Sequence, residues 1–158
     1  MDCALSLDPE TGLLDMSLDG ADFAGDDTLK TAVLLSLCTD RMAQEHEVGP
    51  GEDRRGWWAD AYATPPGDRF GCRWWLLARE KQLPSVVQRA RDYAQEALAW
   101  MVADGLASAV SVSAFVPRMG WLVIYVTLRV NGVDRRYRFE WNGETQAWRL
   151  AGESFGEA

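Results

Sequence analysis

Arginine, tryptophan and aspartate are interleaved over eight residues near the middle of the chain, from Asp53 to Asp60. A pair of carboxylates is the equipment of a glycosidase, and Asp53 with Asp60 is one such pair. That pair has little specificity, because the chain holds 24 Asp and Glu residues. Trp and Arg side chains dominate the buried anchors of protein interfaces, so the same segment favours binding to another protein.

A second group of the same residue types follows at Arg73-Trp74-Trp75. Glycines and prolines between the groups predict a long loop, which is costly to order unless it packs on something. We therefore expect a partner interface. The alternative is that the tryptophans close one end of the core and the arginines pair with Asp53 and Asp60. The candidate interface residues are Asp53, Arg54, Arg55, Trp57, Trp58, Asp60, Trp74 and Trp75.

Other catalytic chemistry has little support in the sequence. His46 is the single histidine, so no Ser or Cys nucleophile has a convincing imidazole base. Cys3, Cys38 and Cys72 are odd in number and far apart, which favours reduced thiols over a structural zinc site. The Gly-Pro-Gly at residues 49–51 lacks the lysine of a phosphate-binding loop. We expect a protein that is not an enzyme, with no catalytic residue, no cofactor and no metal.

Size and charge narrow the class of protein. The chain has 158 residues, of which 47% are hydrophobic, and this predicts one domain over residues 1–158. Residues 1–50 hold 11 acids against 2 bases, whereas residues 51–158 hold 13 acids against 14 bases. An acidic third repels phosphate, so we expect no nucleic-acid partner. The unlike ends permit head-to-tail contact in an assembly.

No run of apolar residues approaches the length of a membrane span, so we expect no membrane partner. The first residues lack the basic and apolar regions of a signal peptide. The chain is therefore expected to stay in the cytoplasm where it is made.

The elements that must position these residues follow from hydrophobic periodicity. Alternation over residues 4–7 and 14–18, around a turn at residues 8–12, predicts an N-terminal β-hairpin. A loose acidic loop is expected over residues 19–27. Helices are predicted at residues 28–41, capped by Asp26 or Asp27, at residues 73–81, and at residues 84–104 with Gly105 as the cap.

From residue 108 the period changes to two, which predicts an antiparallel meander over residues 108–150 and a flexible tail over residues 151–158. Two-residue turns at Asn131-Gly132 and Asn142-Gly143 set its register. They place Arg129 opposite Asp134, gather the apolar residues of both central strands on one face, and put Trp148 against Tyr137. The predicted fold class is α+β: an N-terminal β-hairpin, with two to three helices of the segment 28–104 packed on the C-terminal sheet.

The sequences Leu-Ser-Leu-Cys-Thr-Asp-Arg and Arg-Arg-Gly-Trp-Trp-Ala-Asp, with two further segments, resemble the small baseplate wedge protein of Mu-like contractile-tailed phages. The most specific combination is Leu-Ser-Leu-Cys-Thr-Asp-Arg at residues 35–41 together with Arg-Arg-Gly-Trp-Trp-Ala-Asp at residues 54–60. The likeness covers roughly residues 4–141 and departs in the acidic loop before the first helix and in the tail. The matching segments are residues 27–41, 53–60, 73–77 and 94–101.

This resemblance implies a structural part of a contractile tail baseplate, within the broader group of baseplate wedge and sheath-initiator proteins. It implies several copies in the virion, made in the host cytoplasm and bound to other wedge proteins, the tail tube or spike hub, and the sheath. The T-even member of that group carries a lysozyme-like label, but no residues here support that activity. An alternative is a small acidic immunity or inhibitor protein that masks a basic partner, and a third is the glycosidase.

Overall fold

The computed structural model describes residues 2–26, 28–78, 80 and 84–157, and its fold confirms the predicted α+β class. In chain order its elements are β1 (Asp2–Cys3), β2 (Leu5–Leu7), β3 (Leu14–Met16), β4 (Leu18–Asp19), β5 (Asp22–Phe23), β6 (Gly25–Asp26), α1 (Lys30–Cys38), α2 (Pro84–Ala103), β7 (Ala109–Phe115), β8 (Trp121–Val130), β9 (Val133–Asn142) and β10 (Ala147–Glu157). Short 3-10 helices span Glu45–Glu47, Trp58–Tyr62 and Trp74–Leu77.

The C-terminal sheet is an antiparallel meander of four strands in the order β10-β9-β8-β7. Asn131 and Gly132 have φ of 52° and 80°, and a two-residue type I′ hairpin turn requires positive φ at both positions. Val130 therefore pairs with Val133, and Arg129 lies opposite Asp134 as predicted. The inner face of β8 and β9 is apolar and packs against the helices.

The register of β10 differs from the prediction. Residues 143–146 form a longer turn, in which Gly143 N–H donates to the Gly120 carbonyl and Asn142 Oδ1 accepts from Glu144 N–H. Trp148 consequently lies opposite Trp141 and not Tyr137, which faces Glu153. The difference is four residues, an even number, so Trp148 still points into the core.

The prediction of a flexible tail over residues 151–158 is also wrong for the described residues 151–157. β10 continues to Glu157 after a bulge between Leu150 and Gly152. Phe155 packs edge-on against Tyr137, with ring centroids 6.4 Å apart. Continued backbone pairing with β9 stabilises residues that polar composition alone made appear frayed.

The helices occur where periodicity predicts them, with shorter ends. α1 begins at Lys30 after Leu29 adopts φ of 63°, and Asp26 caps the turn by accepting from the Thr28 and Thr31 N–H groups. Asp27, the other predicted cap, lies outside the described residues. α2 ends at Ala103 ahead of Gly105, whose φ is 74°. The predicted helix at residues 73–81 is reduced to one 3-10 turn over Trp74–Leu77, and its last part lies largely outside the described residues.

The N-terminal hairpin is present as β2 and β3. Asp8 organises its turn by accepting from the N–H groups of Glu10 and Thr11. The loose acidic loop expected over residues 19–27 is a correction: β4 pairs with β5 and β1 pairs with β6. Backbone bonds from Ala4 N–H to the Ala24 carbonyl explain why this acidic segment is ordered despite its charge.

Candidate functional site

Residues 39–78, here called the Trp/Arg loop, leave and rejoin the body of the protein at one narrow base. Cys72 N–H donates to the Thr39 carbonyl at 2.8 Å, and Arg41 N–H donates to the Cys72 carbonyl at 3.0 Å. Gly71 lies at this crossing with φ of 97°, and a Cβ there would lie 2.4 Å from the Thr39 oxygen. Only glycine permits this close approach without a shift of the backbone.

A partly buried ionic cluster fastens the Trp/Arg loop to α2. Arg73 donates to Glu47 at 2.8 Å and to Glu96 at 2.5 Å, and its guanidinium lies 4.4 Å from the ring centre of Tyr93. Tyr93 in turn donates its hydroxyl to Glu47 at 2.8 Å. Charge-assisted bonds of this kind are about twice as strong as neutral ones. Arg73 therefore serves the fold itself.

The environment of Glu47 stabilises its carboxylate. Burial alone would raise its pKa, but the bonds from Gln44 N–H, the Tyr93 hydroxyl and Arg73 outweigh burial and lower the pKa below its ordinary value. Burial, followed by the same Glu47 contact, raises the pKa of Tyr93. Glu47, Tyr93 and Glu96 were not among the predicted site residues, because 26 and 23 residues of sequence separate Glu47 and Glu96 from Arg73.

The Arg55 side chain also contacts residues of its own chain. Its guanidinium bonds to Asp40 at 2.7 Å and lies 4.5 Å from the ring centre of Trp75. Trp75 donates its Nε1–H to the Arg41 carbonyl at 2.9 Å. The alternative, in which the loop arginines pair with Asp53 and Asp60, is therefore wrong for the Arg55 side chain.

Arg54 likewise finds other partners. It donates to the Ala43 carbonyl at 2.8 Å and lies 3.6 Å from Glu45. Asp53 accepts from Arg55 N–H and shapes the backbone of the loop. The two carboxylates named as a possible glycosidase pair thus have separate structural partners.

Trp74 is a core residue. It is 4% exposed, donates its Nε1–H to the Ala90 carbonyl at 2.8 Å, and stacks on Trp148 with ring centroids 3.9 Å apart. Phe139 touches its edge at 6.0 Å between centroids. The alternative that tryptophans close one end of the core therefore describes Trp74.

Trp57 and Trp58, unlike Trp74, are exposed to solvent. Trp58 is 75% exposed, and Tyr62 beside it is 81% exposed. Trp57 lies 6.1 Å from Trp58 and 5.5 Å from Phe70 between ring centroids. These four rings, Trp57, Trp58, Tyr62 and Phe70, form a surface that we call the aromatic patch.

Asp60 helps to position the aromatic patch through a hydrogen bond beneath its surface. Its side chain is buried, and Oδ1 accepts from Phe70 N–H at 3.1 Å. That bond joins the 3-10 helix carrying Trp58 to the loop segment carrying Phe70. Sequence reasoning missed Tyr62 and Phe70, although aromatic residues close to Trp57 and Trp58 were a signal that could have included them.

An apolar groove of about 430 Å³ continues from Phe70. It runs between the N-terminal strands and α1, and Trp100, which lines it, donates its Nε1–H to the Ser36 hydroxyl at 3.0 Å. The groove is lined by Asp2, Cys3, Leu5, Met16, Thr31, Ala32, Leu35, Phe70 and Trp100. Patch and groove together make one extended surface rich in uncovered apolar side chains.

Two of the three cysteine thiols have altered pKa values. Burial, with a contribution from Asp40, raises the pKa of the Cys38 thiol to about 12, and burial also raises the pKa of the Cys72 thiol. Both thiols are therefore protonated and poor nucleophiles. Among residues 2–26, 28–78, 80 and 84–157, no three His, Cys, Asp or Glu side chains are grouped to hold a metal ion. No described helix is both long and apolar enough to cross a membrane.

An exposed aromatic patch beside an apolar groove is the type of surface found in the class of proteins that bind other proteins. The particular family follows from comparison with known sequences. The chain belongs to the family described as Phage protein GP46, whose model matches residues 29–134, from the start of α1 to the start of β9.

Two relatives agree with this family. The baseplate protein gp46 of Escherichia phage Mu is 46% identical over 116 residues, which cover 72% of this chain and 78% of that protein. The Mu-like prophage FluMu protein gp46 of Haemophilus influenzae is 36% identical over 141 residues, or 87% of this chain and 97% of that protein. The resemblance to a Mu-like phage baseplate protein is thereby confirmed, and it supports a structural role in the virion tail.

Proposed function

We propose that this protein is a wedge component of a contractile tail baseplate that binds neighbouring wedge proteins through the aromatic patch and the apolar groove. The observation that carries the proposal is the exposure of Trp58 and Tyr62 on a segment that Asp60 joins to Phe70 N–H by a hydrogen bond. Exposed aromatic rings of this size are the usual hot spots of protein interfaces, where truncation costs about 2 kcal/mol or more of binding.

The Trp/Arg loop divides its work between two sets of side chains. Arg55, Arg73 and Trp74 hold the loop to its own chain, whereas Trp57 and Trp58 point outward. A rigid mount with an exposed aromatic tip suits a component that must dock in one orientation. We place the partner surface on the outward set and not on the whole loop.

Contact with the tail tube or the first sheath ring is a further part of the proposal. The C-terminal sheet ends in β7 and β10, so each has one edge without a neighbouring strand in the described sheet. A strand from another protein can extend such an edge through backbone hydrogen bonds. We propose that several copies per virion use one of these edges in this way, without enzymatic activity.

The test is complementation of a phage that lacks its own copy of this gene. Trp58→Ala combined with Tyr62→Ala should leave the purified protein folded, yet yield no complete contractile tails by electron microscopy. Leu106→Ser is the matched control, since Leu106 is a partly exposed apolar residue at the end of α2. Normal tails from the double variant would refute the role of the patch.

This pair of substitutions is cleaner than Arg55→Ala with Trp57→Ala. Arg55 bonds to Asp40 and covers Trp75, so its removal also loosens the loop. The acidic-inhibitor alternative predicts co-purification with a single soluble enzyme, whereas the baseplate proposal predicts co-purification with tail structures.

A further inference from the structure

The outer face of the C-terminal sheet, which points away from the helices, carries arginines between aromatic rings. Arg118 and Arg149 lie 4.5 Å and 5.2 Å from the ring centre of Trp121. Phe115 stacks on Tyr125 at 6.0 Å between centroids. We call this surface the basic face, and its members are Phe115, Arg118, Trp121, Tyr125, Arg129, Asp134, Arg136, Arg138, Glu140 and Arg149.

A buried carboxylate fixes two of these arginines. Glu140 is buried and pairs with Arg138 at 2.5 Å and with Arg149 Nε at 2.8 Å, while both guanidiniums stay about half exposed. One carboxylate shared by two guanidiniums leaves a positive charge. Because the basic face holds five arginines and two acids, its net charge is 5 − 2 = +3.

The complementary surface is on the same chain. β4 and β5 form a two-stranded hairpin over residues 18–23, here called the acidic finger. Leu18 is 67% exposed and Phe23 is 56% exposed, and they are cross-strand partners. No Lys or Arg occurs in residues 1–29. The finger therefore presents apolar side chains in a strongly acidic surrounding.

Two carboxylates face each other on this finger. Asp19 pairs with Asp22 across the hairpin, an arrangement that is unfavourable for like charges. Neither forms an ion pair with a Lys, Arg or His side chain in the described part of the chain. A guanidinium brought between them would relieve the repulsion, which is what the basic face offers.

The two surfaces lie on different layers of the molecule. The N-terminal strands are bonded to α1 through Leu5 N–H and the Thr31 hydroxyl. Tyr137, on the inner face of the sheet, donates its hydroxyl to the carbonyl of Thr28, just ahead of α1. The basic face is on the outer side of that sheet. We propose that the acidic finger of one copy docks on the basic face of a second copy, head to tail.

The test measures self-association of the full chain by light scattering and sedimentation. Between about 0.01 M and about 1 M salt the screening length falls from about 30 Å to about 3 Å. The average mass should rise with protein concentration at low salt and return to that of a monomer at high salt. A monomer at every concentration and salt would overturn the proposal.

Charge reversal on each surface locates the contact. Asp19→Arg with Asp22→Arg reverses the finger, and Arg118→Glu with Arg136→Glu reverses the face without touching the pairs of buried Glu140. Each variant alone should associate more than about tenfold more weakly, because like charges then meet. An equimolar mixture should recover association, since the unchanged acidic finger of one variant then meets the unchanged basic face of the other.

Controls separate this contact from other causes. Asp68→Arg with Asp104→Arg makes the same charge change on exposed positions outside both surfaces and should leave association unchanged. Trp58→Ala with Tyr62→Ala should also leave it unchanged, so failure of the aromatic-patch proposal and failure of this one are distinguishable. Association that survives both charge-reversed variants would refute the finger-and-face contact.

Discussion

Substitution of Trp74 and of Trp58 by alanine should have very different effects on stability. Trp74→Ala removes a buried ring that stacks on Trp148 and breaks the bond to the Ala90 carbonyl. Loss of a buried aromatic side chain costs about 3–5 kcal/mol of unfolding free energy. For a chain of this length about 1 kcal/mol lowers Tm by about 2–4 °C, so the expected decrease is about 6–20 °C.

Trp58→Ala should change the unfolding free energy by no more than about 0.5 kcal/mol, because exposed substitutions without buried contacts rarely exceed that value. The assay is urea and thermal unfolding followed by far-UV circular dichroism, which does not depend on the tryptophan that is removed. Trp74→Phe is the matched intermediate, since it keeps a stacked ring and loses only the indole bond and part of the packing.

Equal losses for the two alanine variants would refute the division of the Trp/Arg loop into an inner and an outer set. So would a Trp74→Ala protein with an unchanged Tm. Either result would mean that Trp74 is not a core residue, and the proposed partner surface would have to include it.

Three further predictions follow from the same geometry. The lowered pKa of Glu47 stabilises the folded protein fully above the ordinary glutamate pKa of about 4.5, and this stabilisation is lost as the pH falls through the lower pKa of the folded state. Urea unfolding at a series of pH values should therefore show the difference in unfolding free energy between wild type and Glu47→Gln shrinking below about pH 4.5. Gly71→Ala should destabilise by about 1–3 kcal/mol more than Gly67→Ala, because both glycines have positive φ but only the first meets the Thr39 carbonyl. Purified protein should not cleave peptidoglycan, and cleavage that Asp53→Asn abolishes would restore the glycosidase hypothesis.

The sequence correctly predicts those parts of the fold that depend on residues close together in the sequence. The β8–β9 hairpin needs only Asn131-Gly132 and two alternating strands, and its register is as predicted. The β9–β10 turn is different, because Gly143 N–H donates to the carbonyl of Gly120 in the turn between β7 and β8. A contact between two loops that are distant in sequence is not visible in the local pattern, and the register of Trp148 was wrong for that reason.

The candidate site shows the same limit. Trp58 and Trp74 have the same side chain in similar sequence contexts, yet one is exposed and the other buried. What decides between them is α2 and β10, which supply Ala90 and Trp148 from later in the chain. Composition therefore predicted that the segment matters, but not which of its rings faces outward.

The ion pairs of Arg73 with Glu47 and Glu96 and the narrow base at Cys72, here together called the clasp, fasten the Trp/Arg loop to the body of the protein. This has a consequence for the rate of assembly. A surface segment that is already shaped before it meets its partner loses little conformational freedom at that moment. Productive encounters then need no slow rearrangement, and the rate at which subunits join is set by diffusion and orientation. Loosening the clasp should thus slow incorporation into particles well before it weakens the finished particle.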